Sequence, residues 1–222
     1  MKIVDDSPPV LTALDRPNSY IGRSVPRPNL ARLTQGRGTY VSDVTLPRMA
    51  HVAFVRSPHA HARIRSIATE AAKKSPGVIA VVTGAELAKV MTPWVGVLTH
   101  LKGLKSAPQS PIAVDVACWQ GEAVCAVVAR TRAEAEDACE LVDVAYEELS
   151  AVTNAETALD AVTPVIHASL GDNLCFERKL DVGAVDRAFG NSDEVIEATF
   201  VTGRHTGVTN EPRAIVADWN AG

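Results

Sequence analysis

The chain of 222 residues contains no apolar run approaching the roughly 20 residues that a membrane-crossing helix needs. Its most apolar stretches, VIAVV at 78–82 and AVCAVVA at 123–129, are only strand-sized, so no membrane partner is expected. A secretory opening is missing too. Asp5 and Asp6 stand where the apolar core of such a signal would lie, and Pro8 and Pro9 follow. A cytoplasmic location is the expectation. Closely spaced cysteines are also absent. Cys118, Cys125, Cys139 and Cys175 form no C-x-x-C pair, which argues against the usual zinc and iron–sulfur patterns and leaves reduced, structural thiols. Positive charge is in no excess: 22 Lys and Arg against 26 Asp and Glu give a net charge of -4, and the basic residues are scattered. Such a chain presents no extended field for nucleic acid or anionic lipid. What remains is a globular composition, 46% hydrophobic and 22% charged, long enough for one large or two small domains.

Residues 1–35 read as an extended arm, because Pro8, Pro9, Pro17, Pro26 and Pro28 each lack a backbone donor and push the preceding residue toward extended geometry. After the turn signal Gly36-Arg37-Gly38, TYVSDVTLPRMAHVAFVRSP reads as two antiparallel strands either side of Leu46-Pro47-Arg48. ARIRSIAT at 62–69 alternates in part, EAAKKSPG supplies a short helical turn, and VIAVVTG at 78–84 reads as a strand buried on both faces. GAELAKVM follows as a short helix, and Pro93 to Pro111 as a loop. AVDVACW at 113–119 and GEAVCAVVA at 121–129 read as strands joined through Gln120-Gly121, a connection compatible with a tight hairpin. Thr131 and Glu134 have capping-box spacing, which starts a helix at about 132 with Ala135, Ala138 and Cys139 on one face. VDVAYEEL at 142–149 returns to strand. Residues 150–175 lose this regularity. A helix over 181–192 and strands over EVIEATFVTGRH at 194–205 and AIVADWN at 214–220 complete the reading, with the last strand expected to lack its partner.

The strings QGRGTYVSDVTLPRMAHVAFVRSPHAHARIRSI, PGVIAVVTGAEL, QGEAVCAVVARTRAEAEDACELVDVAYEEL, DVGAVDRAF and GRHTGVTNEPRAIVADW, in that order and spacing, resemble the N-terminal part of the molybdopterin-binding large subunit of the xanthine dehydrogenase/aldehyde oxidase family. The resemblance implies an α+β fold: a hammerhead-type mixed α/β domain at 36–150, a linker at 151–165, and at 166–222 the opening strands of a molybdopterin-binding domain. It departs from the family in one place, where the usual Gly-Glu-Pro reads Gly121-Glu122-Ala123. It further implies water-dependent oxidative hydroxylation of an aldehyde or N-heterocycle by the complete enzyme. There a molybdenum–molybdopterin cofactor accepts electrons, and the partners are the remainder of the large subunit, an iron–sulfur subunit and an FAD subunit. The family's glycine-rich cofactor loops and late catalytic glutamate are expected beyond the point matching Gly222, and no F-G-G-G string occurs. No catalytic, cofactor-binding or metal residue therefore transfers to this chain, and it is expected to bind no cofactor alone.

Several residues still invite a chemical reading. His59 and His61, in Ser57-Pro58-His59-Ala60-His61-Ala62-Arg63, would face one side if they lay on a strand, but no neighbouring carboxylate or cysteine completes a metal site. Arg204-His205 and Glu211-Pro212-Arg213 read as a buried network fixing a turn, or as a border of a substrate funnel. Asp43 and Glu122 read as turn or edge residues. Gly36-Arg37-Gly38 lacks the following Lys-Ser/Thr of a phosphate loop, and no G-x-S-x-G elbow occurs. Two functions remain: a piece of a molybdenum hydroxylase, with an unpaired apolar surface over 165–222, or a non-catalytic binding or assembly module that kept the hammerhead fold.

Overall fold

The computed structural model describes Tyr20, Val25, residues 27–180 and 182–203, Gly207, Thr209 and residues 213–219. The chain divides into two compact units, one covering Leu46–Thr202 and the other residues 1–45 with 203–222. In the smaller unit the described elements are helix α1 (Leu30–Thr34) and a 3-10 turn at Val41–Asp43. Helix α1 ends where the sequence demands it. Gly36 takes φ +68°, its N–H donates to Leu33 O, and Arg37 N–H donates to Arg32 O, so two carbonyls of the last turn are satisfied by a left-handed glycine.

The larger unit carries strands β1 (His51–Arg56), β2 (Ala62–Ala68), β3 (Val78–Thr83), β4 (Val116–Ala117), β5 (Ala123–Ala129) and β6 (Asp143–Glu148). Among them lie helices α2 (Glu70–Lys73), α3 (Gly84–Leu87), α4 (Arg132–Cys139) and α5 (Val185–Gly190). The strands form two three-stranded antiparallel sheets, ordered β1-β5-β3 and β4-β2-β6. As the middle strand of the first sheet, β5 has Val124, Cys125, Ala126, Val127 and Ala129 all buried, which explains its unbroken apolar sequence. Ala72 of α2 and Ala138 of α4 pack on Val81, Cys125 and Val127; side chains this small let both helices approach the sheet closely. Ala113, Ala117 and Val124 form a second cluster with Ile64, Val144 and Tyr146, and Val55 packs against both clusters. Full burial of one such valine contributes about 1.5–3 kcal/mol, so β5 is the element on which the unit's stability is concentrated.

Helix α4 begins as its sequence requires: Thr131 Oγ1 accepts from Glu134 N–H at 3.2 Å. The Glu134 carboxylate takes the Thr131 hydroxyl at 3.0 Å, a variant of the expected reciprocal bond to backbone. The full reciprocal arrangement occurs instead at α3, between Thr83 and Glu86.

Five expectations are corrected. Residues 39–45 form no strand and hold the 3-10 turn Val41–Asp43, because Tyr40 N–H donates to the Asp43 carboxylate at 2.9 Å and closes the chain on itself. The arm ends in α1 and is not extended over 30–34; most of its earlier residues lie outside those described. Segments 113–119 and 121–129 are not a hairpin, since β4 pairs with β2 and β5 with β1 and β3. Strand β3 is an edge strand, so Ile79 is 60% exposed instead of covered on both faces. Finally, the described residues of 194–203 and 213–219 form no strand. Ile196 and Phe200 are about nine-tenths exposed, and an extended segment without a neighbouring strand has no ladder to satisfy its backbone.

No described helix is long and apolar enough to cross a membrane.

Candidate functional site

The densest gathering of buried polar groups lies where the chain passes from β4 into β5 and where β1 ends. Ser57, His61 and Glu122 are all buried there. Ser57 N–H donates to Glu122 O and Gly121 N–H donates to Ser57 O, each at 2.8 Å, so the residue after β1 is tied to the turn before β5. That turn needs glycine: Gly121 sits at φ +91°. Its carbonyl accepts from Arg56 Nη1 at 2.8 Å.

Glu122 has its backbone in this tie and its side chain turned back on the turn. Its carboxylate accepts Cys118 N–H at 2.6 Å. Burial pushes its pKa up, while the Cys118 and Trp119 amides pull the other way. The residue stands at the turn, as expected, and is buried there as a staple. The signal that could have shown this is position: a lone acid between a glycine and an apolar strand enters the core before the chain can turn away. The same burial raises the Cys118 thiol, helped by the charge of Glu122, which disfavours the thiolate.

Because Glu122 has a folded-state pKa above its ordinary 4.5, the ionised form is disfavoured in the native protein. Its contribution to stability is complete below the unfolded value and fades as pH rises through the folded one. Glu122→Gln keeps the acceptor for Cys118 N–H and removes the titration. The difference in Tm between wild type and Glu122→Gln should therefore fall as pH rises from 4 through the window above 4.5; a pH-independent difference in thermal melts refutes this.

The histidine pair does not converge. His59 Nδ1 lies 3.3 Å from a Glu148 carboxylate oxygen and its ring packs edge-on against Tyr146, with centroids 4.9 Å apart. His61 Nδ1 lies 2.7 Å from Ser150 O. A carbonyl only accepts, so His61 Nδ1 carries the proton there. Residues 58–61 form bends and not a strand, which removes the geometry that would have put both rings on one side. Ser57 Oγ engages the backbone of His59 at 3.1 Å, donating to its carbonyl and accepting from its N–H, and so forms no serine–histidine dyad with the ring. The Tyr146 hydroxyl is buried beside Ser57 without a hydrogen bond of ordinary geometry, and burial raises its pKa. Asp43 is a turn residue as expected. Arg204, His205, Glu211 and Pro212 lie outside the described residues, so their network is not defined.

Among the described residues no three His, Cys, Asp or Glu side chains gather as a metal-holding group. A shallow cleft between α3 and residues 110–112 is lined by Leu87, Met91, Pro93, Ser110 and Ile112, among others, without a charged side chain. These residues do not fit a molybdenum–pterin group.

Residues 35–150 match the family model described as aldehyde oxidase and xanthine dehydrogenase, a/b hammerhead domain. The chain belongs to that family. It is 36% identical over 214 residues to the nicotine 6-hydroxylase large subunit of Paenarthrobacter nicotinovorans, covering 93% of this chain and 26% of that relative. To the carbon monoxide dehydrogenase large chain of Afipia carboxidovorans it is 41% identical over 143 residues, 64% of this chain and 17% of the other. Among solved structures, quinoline 2-oxidoreductase from Pseudomonas putida 86 superposes with a TM-score of 0.65 at 42% identity, over 69% of this chain and 19% of that one. The chain therefore spans about a quarter or less of the length of these relatives. The buried Ser57–Glu122 tie continues the β1–β5 pairing past Arg56 at the turn where the chain leaves β4 for β5.

Proposed function

We propose that the chain is the N-terminal portion of a molybdenum hydroxylase large subunit, and that it acts as scaffold for a reaction carried out elsewhere in the assembled enzyme. The observation that carries this reading is the extent of the likeness. It continues past residue 150, where the hammerhead match stops, into a 214-residue alignment with the large subunit of a hydroxylase. The exposed apolar side chains past residue 180 support it. Leu180, Val182, Ile196, Phe200, Ile215 and Trp219 are each at least 72% exposed. The remainder of the large subunit is the proposed cover for these side chains.

In that assembly the division 36–150, 151–165 and 166–222 separates hammerhead domain, linker and the start of the molybdopterin-binding domain, and the enzyme resides in the cytoplasm. The proposed reaction is oxidative hydroxylation of an aldehyde or N-heterocycle, with the molybdenum–molybdopterin cofactor held by the remainder of the large subunit. Iron–sulfur and FAD subunits carry the electrons away. The test is purification from the native host. The expected result is a complex containing molybdenum, pterin and further polypeptide of the large subunit. A metal-free, monodisperse monomer would mean a binding or assembly module instead.

A further inference from the structure

Lys105 sits in the long loop between α3 and β4, and residues 170–175 close over it from the far side of the sequence. Lys105 N–H donates to Cys175 O at 2.9 Å, and Cys175 Sγ lies 3.4 Å from Lys105 O. The Lys105 ammonium donates to Leu170 O at 3.3 Å and pairs with the Asp172 carboxylate. Four contacts thus converge on one residue from a segment about 65–70 positions away.

That segment is organised internally by a second residue. Asn173 Oδ1 accepts Ile166 N–H at 3.1 Å, and its amide donates to Ala158 O and Pro164 O at 2.9 Å each. Turns at Ala155–Ala158 and Asp160–Thr163, with Thr163 Oγ1 donating to Thr157 O at 2.6 Å, complete a unit that carries its own hydrogen bonds but holds almost no buried apolar side chain. A unit of this kind has little holding it down except its fastenings, and such units open ahead of the core. Its inner side lies against the turn described above: His167 Nδ1 is 4.0 Å from Cys118 Sγ, and Cys118 is only partly accessible.

We propose that residues 154–175 form a lid over the Cys118–Glu122 turn, latched by Lys105 and opening as one unit while the two sheets stay folded. The arrangement gives the fold two levels of stability. One is set by β5 and its neighbours, the other by a partly exposed ion pair and a few backbone bonds, a class of contact that contributes only modestly. Cys118 and Cys125 report on the two levels without added labels, because Cys118 lies under the lid and Cys125 in the sheet core.

The test is alkylation of the whole chain by iodoacetamide under native conditions, with the rate at each cysteine read by peptide mass spectrometry in wild type, Lys105→Met and Asp172→Asn. Methionine keeps the backbone pair with Cys175 and removes the charge; asparagine removes only the ion pair. The expected result is a rise of about fivefold at Cys118 in Lys105→Met, from loss of an exposed ion pair and one charged hydrogen bond, with a smaller rise in Asp172→Asn. Cys125 should be unchanged. Equal Cys118 rates in wild type and Lys105→Met would overturn the latch. Parallel acceleration of Cys118 and Cys125 would overturn the lid, since it would show the unit opening with the core.

Discussion

Replacing Gly84 by alanine should destabilise the larger unit by about 3 kcal/mol, at the upper end of what overpacking costs. Gly84 is the first residue of α3 and is buried. A Cβ placed on it would lie 2.0 Å from Ala113 O, 2.7 Å from Ala113 C and 3.0 Å from Ile112 O. These are backbone atoms, so no rotamer change relieves the overlap. Ala113 is itself buried and its N–H donates to Ala123 O at 2.8 Å, at the entry of β5, so it cannot withdraw without disturbing the central strand. Chemical denaturation of wild type and Gly84→Ala measures the effect. A loss below about 1 kcal/mol would show that α3 pivots freely on Thr83, and that its capping box does not fix it.

Gly77→Ala should cost about 2 kcal/mol for two separable reasons. The residue holds φ +81°, a conformation an L side chain adopts only with strain, and its Cβ would lie 2.0 Å from the Glu134 carboxyl carbon. Unlike the obstacle at Gly84, this one is the end of a flexible side chain and can move. Moving it pulls Glu134 from the Thr131 hydroxyl at the start of α4. Strain and lost capping can be told apart by a double-mutant cycle with Glu134→Ala. In that background Gly77→Ala should retain the backbone share and lose the rest. Equal costs in both backgrounds would mean that Glu134 contributes nothing to the cap.

How far the sequence discloses this fold depends on the range of the interaction being read. The start of α4 was legible because Thr131 and Glu134 are three residues apart and meet within one turn. The burial of β5 was legible because a strand covered on both faces has no polar alternation to preserve. The pairing of β5 was not. Gln120-Gly121 looks like a hairpin connection, yet the strands on either side join different sheets, a choice made by β1, β2 and β3 far away in the chain. The run at 39–45 has strand-forming residues, but Asp43 sits where its carboxylate can reach Tyr40 N–H, and the local bond wins. At the candidate site the two histidines diverge, and Glu122, a turn residue by sequence, also has its carboxylate turned back onto that turn. Gly121 before it and the apolar strand after it mark its position, but the groups that surround the carboxylate come from separate parts of the chain.

The strand order has a consequence for how the protein is made. Every described strand between residues 51 and 83 pairs with a partner between 116 and 148, and none pairs with its neighbour in sequence. During synthesis the first half of the hammerhead region emerges with β1 and β3 apolar and unmatched, and it stays so until residue 129 has left the ribosome. Translation at about 5–20 residues per second leaves that exposure lasting seconds, long enough for a holding chaperone to bind or for nascent chains to pair with one another.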